Sequence, residues 1–250
     1  MKKSLSRIII LTKRNLLEII RDPLSLVFTL ALPLFMEILF YLIFHNLTDQ
    51  FQMKYLAPGI VVFSQAFLTL FTGILISTDR NTSFLTRLYV SNTKSFEFIF
   101  AYALSVLPIT IIQSILFFLV GGIFDTSIFG LNMILAILLS IITSLFFIGM
   151  GILFGSICNE KSIGGVSSIV IVGQSVLSGM WFPLEGLSEG IITFMKILPF
   201  KNSTMLIQNM ILGINNSFND FILPLLIVLI YTVIAFVAAI LLFKHKMKEK

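Results

Sequence analysis

Glu37 is the residue with the most chemistry to explain. It stands inside an apolar run, residues 24–44, that is long enough to cross a bilayer. An ionised glutamate near mid-bilayer costs roughly 2.5–3.5 kcal/mol on insertion scales, so this one must meet protein or water, or carry its proton. Two readings follow. One is a proton or substrate contact. The other is a structural hydrogen bond to a neighbouring helix or to a dimer mate. Proton relays use several such groups, and no other acid sits clearly mid-span.

Other chemistry is scarce. None of the 15 glycines precedes a lysine, so GxxxxGK[ST] is missing and the chain has no P-loop with which to bind and hydrolyse ATP. The two histidines, His45 and His245, fall at opposite ends of the expected topology, which leaves neither HExxH nor a histidine metal site. There is no GxSxG and no Ser/His/Asp set within reach. The single cysteine, Cys158, excludes an intrachain disulfide and a CxxC pair, and reads as a small buried or interfacial residue. The sequence therefore predicts a non-enzyme with no metal and no cofactor of its own.

Composition names the elements that must position these residues. The chain is 57% apolar and 12% charged, with mean hydropathy +1.03 and 26 phenylalanines. Soluble domains carry roughly 25% charge. An all-α membrane protein is expected, forming one domain over residues 1–250. Apolar runs predict six spans, at about 24–44, 56–77, 98–124, 131–157, 163–184 and 221–243. No cleavable leader is evident in the basic first 21 residues. With the N-terminus inside, fourteen Lys and Arg lie on cytoplasmic segments and three outside. The positive-inside bias therefore puts both termini in the cytoplasm. These charges sit on short loops beside spans, so the net charge of +5 does not argue for nucleic acid.

Residues 3–21 read as an amphipathic helix lying on the cytoplasmic interface. Leu5, Ile8, Ile9, Leu16, Ile19 and Ile20 share one face, and Lys3, Arg7, Arg14, Glu18 and Arg21 share the other, with Arg14 and Glu18 paired at i,i+4. Such a helix serves as an anchor on anionic lipid or as a surface for a cytoplasmic partner. Pro23 pushes Asp22 out of helical geometry and ends it. The longest internal cytoplasmic loop follows span two. There Asp79 can cap a short helix in which Phe84, Leu85 and Leu88 share a face flanked by Arg80 and Arg87. A knob of this kind suits a groove on another protein, or rests on lipid.

Span four carries Gly149, Gly151 and Gly155, a small-residue pattern that lets helix backbones approach. Span five is rich in small and polar residues, Gln174 among them, as a close interface or a cavity wall requires. After it, residues 178–213 are apolar yet refuse to span. Trp181-Phe182-Pro183-Leu184-Glu185-Gly186 breaks the run, and Pro199 breaks it again. A bilayer tolerates broken backbone only where protein or a water-filled cavity covers it. Residues 189–198 and 204–212 read as two short outer-leaflet helices.

Four features in this order resemble the ABC-2 type permease family over nearly the whole chain. They are Arg21-Asp22-Pro23 with Pro33 in span one, Tyr55-Leu56-Ala57-Pro58-Gly59 opening span two, the basic loop after it, and Ser178-Gly179-Met180-Trp181-Phe182-Pro183-Leu184-Glu185 with Pro199 and Gly213 downstream. Two positions depart from the usual pattern. Asp79-Arg80-Asn81-Thr82-Ser83 lacks a common glycine, and Ser188 stands where many members have proline. The resemblance implies the membrane subunit of an ATP-driven exporter in the cell membrane, working as a dimer with a separate P-loop ATPase that holds ATP and Mg. It implies that Asp79, Arg80, Phe84, Leu85, Arg87 and Leu88 face that ATPase. It places Glu37, Gln174, Phe182, Pro183 and Glu185 along the path or exit gate, with re-entrant helices between spans five and six. A drug, antimicrobial or other amphipathic molecule is the expected cargo, as in multidrug resistance. The alternative is a proton-coupled secondary transporter using Glu37.

Overall fold

A computed structural model describes residues 2–82, 95–182, 186–214 and 217–248. The described residues form helices and no strand. In chain order these are α1 (Lys2–Ile20), α2 (Pro23–Phe44), α3 (Met53–Asn81), α4 (Ser95–Phe124), α5 (Leu131–Ile157), α6 (Glu160–Leu177), α7 (Glu189–Ile197), α8 (Pro199–Leu212) and α9 (Leu223–Lys248). Five helical stretches are long and apolar enough to cross a membrane: α2, α3, α4, α5 and the stretch Phe218–Phe243 that leads into and includes most of α9.

Of the most apolar 18-residue window, 89% is buried in α3 but only 17% in α2 and 22% in α9. α3 is thus the central post, and α2 and α9 present most of their surface outward. Two glycines let α5 lie directly against that post. A Cβ on Gly151 would stand 2.7 Å from the Thr69 carbonyl oxygen, and one on Gly155 would stand 2.8 Å from that of Gly73. The expected glycine pattern is therefore an intrachain seam. Gly149, on the neighbouring face, meets Phe236 and Ala235 of α9 instead.

Helix boundaries follow local chemistry. Asp22 leaves helical geometry at φ −93°, ψ 100°, and its carboxylate accepts the Leu24 amide at 3.1 Å, so α1 ends and α2 begins there. Expected span five does not run to residue 184. Its helix stops at Leu177, because Gly179 turns left-handed at φ 74° and Gly186 does so again at 93°. The resulting 18-residue α6 is shorter than the five long helices, and its Gln174, Ser167 and Ile163 are buried. Expected short helices 189–198 and 204–212 are α7 and α8, with α8 starting five residues early because Pro199 is a good first helical residue. Gly213, at φ 74°, closes α8, and the Ile214 amide reaches back to the Asn209 carbonyl at 2.8 Å.

Two prolines leave carbonyls that other helices satisfy. Pro33 has no N–H to give the Thr29 carbonyl four residues back, and a π turn, Val27–Ala31, precedes it. The fully buried Gln113 of α4 donates its Nε2 to that carbonyl at 2.9 Å. Pro224 similarly orphans the Asp220 carbonyl behind a second π turn, Phe218–Ile222, and Asn209 Nδ2 of α8 donates to it at 2.8 Å. An unpaired backbone carbonyl in an apolar interior costs several kcal/mol. The two amides therefore fix α2 against α4 and α9 against α8.

Candidate functional site

The ion pairs found among the described residues gather at the end of the bundle that carries α1. Asp79 does not cap a short helix, as the sequence suggests. α3 continues past it to Asn81, and the side chain is 2% exposed. A carboxylate buried this deeply needs cations and donors. Arg14 supplies a two-pronged pair, its Nη2 bonding Asp79 Oδ1 at 2.6 Å and its Nη1 bonding Oδ2. The Tyr102 hydroxyl of α4 donates to Oδ2 at 2.6 Å. Arg14 also holds Glu18 at 2.7 Å, the expected i,i+4 pair, and donates to the Asn15 side chain at 3.0 Å. Burial opposes the charge on Arg14, but the bond and charge of Asp79 outweigh it and raise its pKa. Burial also raises the pKa of Glu18, against the pull of Arg14.

A second pair lies one end of α1 away. Glu97, 2% exposed at the start of α4, takes Arg7 Nη1 at 3.3 Å and the Ser4 hydroxyl. Thr12 adds a bond to the Ala101 carbonyl at 3.3 Å. α1 thus turns its polar edge, from Ser4 through Arg7 and Asn15, toward α4, while Leu5, Ile9, Leu17 and Ile20 remain exposed. This differs from a helix whose whole charged face meets water. The chain offers buried carboxylates at residues 79 and 97, and neutralising them outweighs hydrating the arginines.

Arg80 points the other way. Its Nη1 donates to the Gly155 and Cys158 carbonyls at 2.8 and 3.1 Å, closing the last turn of α5, where a cation also suits the helix dipole. Both roots of the segment between α3 and α4 are therefore bolted down. Asp79 and Arg80 fix its entry to α1 and α5, and Glu97 fixes its exit to α1. Phe84, Leu85, Arg87 and Leu88 of the expected partner-facing knob lie outside the described residues. Sequence reasoning missed Glu97 and Tyr102. The available signal was an acid opening an apolar helix and a tyrosine five residues later, with two arginines on α1 seeking partners.

Of the expected path residues, Glu37, Gln174 and Phe182 lie within the described chain. Glu37 is fully buried, and neither carboxylate oxygen has a hydrogen-bond partner among the described residues. Its neighbours include Gly121 of α4, where an added Cβ would lie 3.3 Å from Glu37 Oε1. The structural hydrogen bond foreseen for it is not made within the described chain. Gln174 is also fully buried, and its Nε2 donates to Thr204 Oγ1 at 2.9 Å, tying α6 to α8. Phe182 is half-buried in the break after α6, and Pro183 and Glu185 lie outside the described residues. Beside Phe182, Trp181 packs edge-on against Phe40 and Phe63 at 4.8 and 5.8 Å and donates to Ser175 Oγ at 3.0 Å.

Long apolar helices, an internal charge cluster confined to one end, and buried polar ties between helices define a multi-pass membrane protein. The chain belongs to the ABC-2 type transporter family, whose model matches residues 6–212. It is a permease component of an ABC-type transporter. Comparison with curated proteins returns no match.

Proposed function

We propose that this chain forms, as a dimer, the translocation path of an ATP-driven exporter, and that a separate P-loop ATPase drives it through the segment between α3 and α4. The supporting observation is the double clamp at that segment's roots. A push on residues 83–94 would reach α3 and α5 through Asp79 and Arg80, and α1 and α4 through Arg14, Glu97 and Tyr102. Closely packed elements with buried ion pairs move as units, which is what coupling requires. In this reading α6 is the fifth of six spans, and α7 with α8 is a re-entrant pair at the outer side. Both termini are cytoplasmic, and α1 lies along the inner interface of the cell membrane. The outward face of α6, with Ile169 and Val172 exposed and nothing near a Cβ at Gly164 or Gly165, supports a second copy or a paralogue there. The cargo is a drug, antimicrobial or other amphipathic molecule.

Phe84→Glu combined with Leu88→Glu is expected to abolish co-purification with the ATPase and to reduce ATP-dependent export at least tenfold at equal membrane level. Retained association and export would remove the coupling assignment.

One observation keeps the proton-coupled alternative in play, namely that Glu37 is buried without a hydrogen-bond partner among the described residues. Under the ATP-driven reading, Glu37→Gln leaves export within about twofold, because an uncharged amide replaces an acid that makes no bond. Export that follows the proton gradient without ATP, and that stops in Glu37→Gln, would favour the alternative.

A further inference from the structure

Lys196 and Lys201 flank the joint between α7 and α8, and the coupling reading uses neither. Lys201 is only 9% exposed. It makes no hydrogen bond or ion pair among the described residues. Lys196, whose carbonyl accepts from Asn202 next to Lys201, stands across the joint from it. Leaving a buried cation unpaired is costly, and a second cation beside it adds to the cost. The acids on these elements stand away from the joint. Glu189 opens α7 seven residues before Lys196, about 10 Å along the helix. Asp220 lies in the turn before α9, seven residues ahead of Ile227.

The joint is held in place. Asn202 Nδ2 donates to the Lys196 and Leu198 carbonyls at 2.8 and 2.6 Å. Phe200 packs edge-on against Phe146 of α5 at 6.0 Å, and Phe146 meets Tyr231 of α9 at 6.3 Å. Phe146 is fifteen residues into α5, so the joint stands near half its height, about 22 Å from its first residue. Beside the joint, α7 and α9 leave an open groove of about 410 Å³. Its walls include Ile197, Leu223, Ile227 and Ile230, with Lys196 and Tyr231 among its few polar members.

An aliphatic groove suits an alkyl chain, and Lys196 on its wall, with the buried Lys201 across the joint making no ion pair among the described residues, suits an anionic head. A neutral or cationic amphiphile would leave Lys201 unmatched. A free anion would leave the apolar wall unused. We propose that the joint and groove bind an acidic amphiphile, its anionic head on Lys196 and Lys201 and its tail between α7 and α9. A resting lipid headgroup does not reach half the height of a spanning bundle, so the occupant is a molecule in passage. This assigns the cargo of the transport reading to the acidic amphiphiles, and it rests on that reading.

The test is equilibrium binding to the purified full chain in neutral detergent. The probes are fluorescent phosphatidylglycerol and phosphatidylcholine with identical acyl chains. Phosphatidylglycerol is expected to bind at least tenfold tighter. Excess inorganic phosphate should leave it bound, since the head alone lacks the groove. Lys196→Gln with Lys201→Gln should bring the two lipids within about twofold of each other. Lys196→Arg with Lys201→Arg should retain most of the preference, and Lys54→Gln should leave it unchanged. An indifferent wild-type chain, a preference that survives the double glutamine variant, or an equal loss in Lys54→Gln would each overturn the proposal. The measurement needs neither ATPase nor export. A failure of coupling therefore leaves it intact, and a failure here leaves the coupling assignment standing.

Discussion

Arg14→Met is expected to lower the stability of the chain by about 3 kcal/mol. Removing one partner of a buried ion pair typically costs about 3–5 kcal/mol, because the other charge stays buried and uncompensated. Asp79 is that charge, with a side chain only 2% exposed. The lower end of the range applies because Arg14 is itself 35% exposed, so water already screens part of the interaction. The Tyr102 hydroxyl remains as one donor and cannot replace a two-pronged guanidinium. The shift should read as roughly 6–12 °C in thermal midpoint for a chain of this size. Trp181, the only tryptophan, packs against Phe40 and Phe63 and makes a convenient reporter. Asp79→Leu combined with Arg14→Met should recover most of the loss, since an apolar pair of similar bulk leaves no orphan charge. An unchanged midpoint in Arg14→Met, or a double variant as weak as the single, would show that the pair is not buried in the working protein. If α1 also transmits the push on residues 83–94, the double variant should be stable yet poorly coupled. That outcome separates the mechanical role from the structural one.

Gly151→Ala and Gly155→Ala should each cost about 1–3 kcal/mol, the usual penalty for inserting a carbon into a filled core. The new methyl groups would land 2.7 and 2.8 Å from backbone oxygens of α3, and a backbone cannot rotate aside as a side chain can. Either change must push α5 off α3, the most deeply buried of the five long helices described. Gly190→Ala, on α7 and away from the α6 face proposed for a second copy, is the internal control. It meets nothing within 4 Å and should stay within about 0.5 kcal/mol. The check is thermal unfolding of the three variants side by side in one detergent. Equal midpoints for Gly151→Ala and Gly190→Ala would mean that α5 and α3 do not make this contact. Because Gly155 also offers its carbonyl to Arg80, displacement of α5 there should loosen the root of the segment between α3 and α4 as well.

Much of the architecture was legible from local chemistry. Apolar runs of about 20 residues mark helices wherever they occur, because the backbone must bond to itself in hydrocarbon. The start of α2 followed from Asp22-Pro23, and a break after α6 followed from Trp181–Gly186, although the helix stops earlier, at Leu177 before Gly179. The pair Arg14–Glu18 followed from helical spacing alone. Asp79 was misjudged for a physical reason. An acid near the end of an apolar helix caps a following helix as readily as it pairs with a distant cation, and only the position of α1 chooses between them. Glu37 was recognised as costly, but its lack of any partner depends on what α4 brings beside it, and there α4 brings Gly121.

By itself, the sequence determined that this is a helical membrane chain with no P-loop, with a break after its fifth apolar segment and charge concentrated beside the ends of its spans. Hydropathy, proline and glycine act over a few residues, so their consequences are local and readable. The tertiary structure decided which polar groups meet. Arg14 finds Asp79 across 65 positions of sequence, Gln113 serves the carbonyl orphaned by Pro33, and Asn209 serves the one orphaned by Pro224. A buried polar group requires a partner but does not specify where in the chain that partner lies. Only the packing of α1, α4 and α8 against the rest supplies it.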